Sequence, residues 1–238
     1  MKEASIGEPD VYLGGKVRKV ELETGELCWA FSLSQYVQEA CRNVRAYLKQ
    51  RNGNDKLQEC KYHLPNKAPV PMSNEYRPEI DITPELNATD AAYYQSLIGI
   101  VRWMVELGRV DITTEVSMLS SCLDLPREGH LKQLFRMFSY LEKKHNSEMV
   151  FDYSLPDIDY ADFPKQDWKN TVYANERGDL KEEVPMNLPT PLGKGFTMRV
   201  FVDSNHAGDQ ITRRSQTGFL VYLNNALIYW TSKKQTTV

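Results

Sequence analysis

An α+β fold is predicted: a β-hairpin, then a helical region, then three further strands. Apolar and charged residues alternate from Lys16 to Leu22, the period of a half-buried strand. Apolar residues recur at helical spacing from Tyr36 to Leu48 and again between Ala91 and Leu141. After Phe196 the pattern returns to runs rich in Val, Phe, Tyr and Ile, separated by turn residues.

At the start of the chain, Gly14-Gly15 marks a bend and Glu23-Thr24-Gly25-Glu26 a turn before Leu27-Cys28-Trp29-Ala30-Phe31, which makes a hairpin. Ser32 or Ser34 is expected to cap the helix carrying Tyr36, Val37, Ala40, Val44, Tyr47 and Leu48. Residues 1–50 form one unit on this reading. From 51 to 89 the chain holds Pro65, Pro69, Pro71, Pro78 and Pro84, which break any long period, so an extended connector is expected, ordered by what it lies against.

Residues 90–150 are expected to form a helical unit. Its first helix, from Asp90 to Gly108, is apolar on nearly every side and is predicted to be largely buried. A second spans about Asp111 to Cys122 and stops before Leu125-Pro126; a third spans about Gly129 to Lys144. Residues 151–195 mix aromatics, acids and prolines and are expected to be a linker. From 196 to 238 three strands are expected, the last two joined by a turn at Asn224-Asn225.

Composition bounds the function. The chain has 238 residues, a net charge of -3, 41% hydrophobic and 26% charged residues, which suits globular units and argues against a wholly basic nucleic-acid binder. Any nucleic-acid face must be local. No window supplies the roughly 18 apolar residues of a membrane span, and no signal peptide opens the chain, so an intracellular, non-secreted protein is expected, cytoplasmic or nuclear. Cys28, Cys41, Cys60 and Cys122 show no C-x-x-C pairing and read as buried thiols.

The chemistry concentrates after residue 200. Val200-Phe201-Val202-Asp203 is an apolar strand ending in a carboxylate, the arrangement that aims an oxygen ligand at a hard cation such as Mg²⁺. A strand-end Asp also serves as a turn residue or cap, and Asp209 suits that role better still.

Phe201-Val202-Asp203-Ser204-Asn205-His206-Ala207-Gly208-Asp209, with Arg213-Arg214-Ser215-Gln216-Thr217-Gly218-Phe219 and Ile228-Tyr229-Trp230-Thr231-Ser232-Lys233-Lys234-Gln235, resembles the opening of the ribonuclease H domain of Ty1/copia retrotransposons. That pattern runs Asp-Ala-Asp-Trp-Ala-Gly-Asp, Arg-Arg-Ser-Thr-Ser-Gly-Tyr, Ile-Ser-Trp-x-Ser-Lys-Lys-Gln. Upstream, Tyr94-Gln95-Ser96-Leu97-Ile98-Gly99 and Arg109-Val110-Asp111-Ile112 resemble the family's Tyr-x-Ser-x-Ile-Gly and Arg-Pro-Asp-Ile signatures. Tyr12-Leu13-Gly14 and Leu33-Ser34-Gln35-Tyr36-Val37 are similar to its Phe-Leu-Gly strand and Leu-Ser-Gln-x-Tyr-Ile helix.

The resemblance implies the end of a reverse transcriptase with a thumb-like helix, a connection-like helical unit, and the first three strands of an RNase H-like mixed sheet, left incomplete. It implies that Asp203 is a catalytic Mg²⁺ ligand, and that Arg213, Arg214, Lys233 and Lys234 contact the phosphate backbone of an RNA/DNA hybrid or template-primer. Lys16, Arg18 and Lys19 are lesser candidates for the same partner, and the remainder of the polyprotein is another.

Asn205 replaces the second Asp of the family's Asp-x-Asp, and His206 its Trp; a turn or packing role is expected for His206. Trp103, Trp168 and Trp230 lie in or near apolar runs and are expected in the core rather than stacked on bases. The resemblance puts the next catalytic Glu beyond Lys-Lys-Gln and the paired polymerase aspartates upstream of Met1. The expectation is therefore a chain without polymerase or nuclease activity, and its alternative is a non-catalytic module that binds nucleic acid or the rest of the polyprotein. Such a sheet is expected to expose an open edge and an apolar face.

Overall fold

The computed structural model describes residues 7–53, 62–159, 161, 186–188, 193 and 195–237. Strands β1 (Val11–Tyr12), β2 (Gly15–Glu21) and β3 (Leu27–Ser32) form an antiparallel meander, and β4 (Glu148–Phe151) joins β3 to give the order β1-β2-β3-β4. Gly15 is fixed by close approach, because a Cβ there would overlap the ring of Phe31. The strand β4 falls inside the region read as helical unit and linker. Its four residues, Glu-Met-Val-Phe, are too few to display a period, and β3 recruits them through Trp29↔Phe151 to Ser32↔Glu148.

Helix α1 (Ser34–Asn52) follows directly. Leu33 holds the cap position, so neither serine does; Ser32 contributes by accepting the Ser34 N–H on its hydroxyl at 3.3 Å. Helix α2 (Ala88–Glu106) is capped by Asn87, whose side chain accepts the Asp90 N–H at 2.9 Å. It buries one stripe, Tyr94, Leu97, Ile98, Val101 and Met104, while Gln95, Gly99 and Arg102 face outward. The expectation of a largely buried helix is corrected on this point, and Trp103, expected in the core, is 41% exposed. A 3-10 turn at Val110–Ile112 leads into α3 (Thr113–Ser120), where a single helix was expected. Helix α4 is Glu128–Lys143.

Helices α1, α2, α3 and α4 enclose the core, in which Val37, Leu48, Val101, Leu119, Leu134 and Phe138 are almost wholly buried. Each such side chain contributes about 1.5 to 3 kcal/mol relative to exposure. Cys28 and Cys41 are buried and Cys122 is partly buried; Cys60 and Trp168 lie outside the described residues. Burial pushes the Cys41 thiol up to about 12, which keeps it protonated and unreactive.

The described part of the connector from residue 62 onward is tied to α4. Ser139 Oγ donates to Pro65 O, Gln133 Oε1 accepts the Ser73 N–H, and His130 donates from Nε2 to Pro78 O while its Nδ1 accepts the Arg127 N–H. Asp81 accepts from Tyr76 Oη, Thr83 N and Thr83 Oγ1, and it lies so close to Gly129 that any Cβ there would overlap its carboxylate.

Strands β5 (Met198–Ser204), β6 (Gln216–Leu223) and β7 (Ala226–Lys234) form a separate antiparallel sheet in that order. The β6–β7 turn falls at Asn224-Asn225, with Asn224 at φ 54°. One face of this sheet packs on α2 and α3: Trp230 Nε1 donates to Val105 O at 3.0 Å, and Gln216 Nε2 donates to both Ser117 Oγ and Ser232 Oγ. The other face carries Met198, Val200, Val202 and Tyr229, all more than half exposed, and is uncovered among the described residues.

Candidate nucleic-acid interface

Pairing register decides which side chains share a face. Directly opposed residues point the same way, so Asp203, Gly218 and Ser232 lie on the face toward the helices, as do Gln216 and Lys234. Asp203 is exposed and lines a cleft of about 430 Å³ with Thr113, Thr114, Phe201, Leu220 and Trp230. Among the described residues no other carboxylate lines that cleft.

The loop between β5 and β6 is built on two side chains. Asn205 Oδ1 accepts the Gln216 N–H at 2.6 Å, pinning the loop to the start of β6. Asp209 Oδ1 accepts the N–H groups of Ile211 at 3.1 Å and Thr212 at 2.7 Å, and its Oδ2 accepts from Lys234 Nζ at 2.5 Å. Burial opposes ionisation of this carboxyl, but the Lys234 and Thr212 hydrogen bonds outweigh it and hold the group down at about 2. Asp209 is thus the loop's internal anchor, in the turn role its residue type suggests.

Of the four cations expected to act together, Arg214 and Lys234 line one cleft, and Lys233 lines a different groove. Arg213, at φ 56°, is exposed in the loop, its N–H donating to Asp209 O. Arg214 lines a second cleft, of about 250 Å³, with Arg77, Glu79, Thr114, Asn205 and Asp209. Lys234 is committed to Asp209, and Lys233, one residue earlier in β7, points to the opposite face and lines a groove with Arg102 and Glu106. His206 is exposed. In the hairpin, Arg18 pairs with Glu148 at 2.6 Å and Lys19 with Glu8 at 2.5 Å, so these charges are partly offset.

Thr114, in the first turn of α3, lines both clefts, so the Asp203 cleft and the Arg214 cleft adjoin across it. The result is a furrow between the C-terminal sheet, α3 and the connector, apolar at the Asp203 end, where Phe201, Leu220 and Trp230 line it, and more polar at the Arg214 end. Arg77 and Glu79 were not singled out from the sequence. They come from the proline-rich connector, and only the docking of the 3-10 turn Pro78–Ile80 against the loop, where Glu79 Oε1 accepts the Gln210 N–H at 3.3 Å, brings them in.

The described residues do not fit a two-ion Mg²⁺ centre. Two ions about 4 Å apart need several carboxylates to hold them. Among the described residues, no group of three His, Cys, Asp or Glu side chains stands close enough to hold even one ion.

The molecule is therefore an α+β protein with two antiparallel sheets flanking a helical core and a furrow under the second sheet, apolar beside Asp203 and more polar beside Arg214. The chain is similar to a retrovirus-related Pol polyprotein from transposon RE1 of Arabidopsis thaliana, at 24% identity over 167 residues, 70% of this chain and 9% of that polyprotein. The similarity aligns the chain with retrotransposon polyprotein sequence, less than a tenth of that relative's length. It is also similar to a secreted RxLR effector protein of Plasmopara viticola, at 24% identity over 145 residues, 61% of this chain and 75% of the effector. No protein-family model matches, and no solved structure matches. Among the described residues no helix is long and apolar enough to cross a membrane.

Proposed function

We propose that the chain is a segment of a Ty1/copia-type Pol polyprotein that grips the backbone of an RNA/DNA hybrid or template-primer and does not cut it by itself. The observation that carries this reading is the furrow that Asp203 and Arg214 line on either side of Thr114. Backbone recognition needs cations placed at phosphate spacing rather than base-edge donors, and hybrids are recognised chiefly by shape and backbone. Arg214 and the exposed Arg213 are the phosphate contacts on this reading, while Lys233, on the opposite face of β7, lies outside the furrow. Lys234 acts indirectly, by holding the loop through Asp209.

The similarity to a Pol polyprotein supports the origin, and the ordered motifs after Asp203 support an RNase H-like beginning for residues 196–237. Mg²⁺ enters this reading only as an ion that Asp203 would ligate. The uncovered face of Met198, Val200 and Val202 gives the remainder of the polyprotein a surface to cover. An intracellular site of action, cytoplasmic or nuclear, goes with such partners.

Fluorescence anisotropy of a labelled hybrid, titrated with the chain across a salt series, tests the grip. Arg213→Gln and Arg214→Gln should each weaken binding about equally for all sequences and lower the salt slope by about 1. Variants that bind like the wild type would leave the reading without its contacts.

A further inference from the structure

We infer that Arg77, from the proline-rich connector, is a phosphate-binding residue that completes a single phosphodiester site with Arg214, tying the connector to the C-terminal sheet through the bound strand. This rests on the nucleic-acid reading above and adds a residue 137 positions away from Arg214 in the sequence.

Six other arginines, Arg18, Arg42, Arg45, Arg51, Arg109 and Arg127, donate to carboxylates. Neither Arg77 nor Arg214 does so among the described residues, although both line a cleft of about 250 Å³. Two guanidiniums sharing a concavity repel each other, and an anion between them relieves that repulsion. A phosphodiester suits the place because a guanidinium fork matches a phosphate's oxygens, with neutral polar groups of Asn205 and Thr114 also at the wall. Of the carboxylates lining the cleft, Asp209 is already engaged by Lys234, so Glu79 is the remaining negative charge. Glu79 is fastened by accepting the Gln210 N–H and opposes an incoming phosphate. The cleft adjoins the Asp203 cleft at Thr114, so a strand seated here continues along the furrow.

The test uses the whole chain, hybrid anisotropy and five variants. Arg77→Gln should weaken binding several-fold and lower the salt slope by about 1, matching Arg214→Gln. Arg77→Gln combined with Arg214→Gln should lose less than the sum, because the two share one phosphate. Glu79→Gln, which keeps the acceptor for Gln210, should tighten binding at low salt. Arg42→Gln removes an equal charge from an exposed pair with Glu39 on α1, and should change nothing. Binding unaltered by Arg77→Gln and Glu79→Gln, while Arg214→Gln weakens it, overturns the Arg77 assignment and spares the nucleic-acid reading. A wild-type chain that binds no hybrid overturns both.

Discussion

Asp209 shows how one side chain organises the loop beside the furrow. It is 8% exposed, accepts two backbone N–H groups and a Lys234 ammonium, and titrates near 2 rather than at the usual carboxylate value. Because its folded pKa is depressed, its contribution is fully present above the unfolded value near 3.9 and is lost as pH falls through about 2. With Lys234 partly solvated, that contribution is about 1 kcal/mol. Acid titration followed by the Trp230 fluorescence should show the C-terminal sheet loosening between about pH 4 and 2. Asp209→Asn should remove that step, and an unchanged acid profile would show that the pair contributes nothing. The turn role of Asp209 was legible because an Asp carboxylate accepts N–H groups two and three residues on. Its pairing with Lys234 was not, because the β6–β7 register decides which of Lys233 and Lys234 faces the loop.

At the scale of elements, the sequence revealed what its periods could encode. The alternation in β2, the helical spacing in α1 and α4, and the Asn-Asn turn between β6 and β7 all appear at the expected places. Helix α2 misled because Ala92, Gly99 and Trp103 look apolar on a wheel yet face outward, and β4 was hidden because four residues carry no period. How the second sheet docks was equally hidden, since Trp230 Nε1 meets a backbone carbonyl, Val105 O, which no side-chain pattern announces. Trp230→Phe keeps most of the packing and deletes that bond, so it should cost about 1 kcal/mol. Hydrogen exchange should show the β7 amides losing protection while those of α1 and α4 keep theirs. Equal loss everywhere would mean that the sheet and the helical core unfold as one unit.

For the molecule as a whole, the helical core carries the stability and the C-terminal sheet carries the proposed interface, with the connector laid between them along α4. Its prolines announced an extended path, but the bonds from Ser139, Gln133 and His130 that fix the path link residues 52 to 74 positions apart. Arg77 and Glu79 reach the furrow only through that path, which is why the site read from the sequence held Asp203, Arg213 and Arg214 without them. A grip on nucleic acid without hydrolysis is tested by following binding and cleavage in one experiment. A hybrid labelled on its RNA strand is incubated with the purified chain and magnesium, beside Asp203→Ala, and read for both binding and cleavage. Both proteins should bind the hybrid and leave its RNA intact. RNA cut by the wild type and spared by Asp203→Ala, or no binding at all, would contradict it.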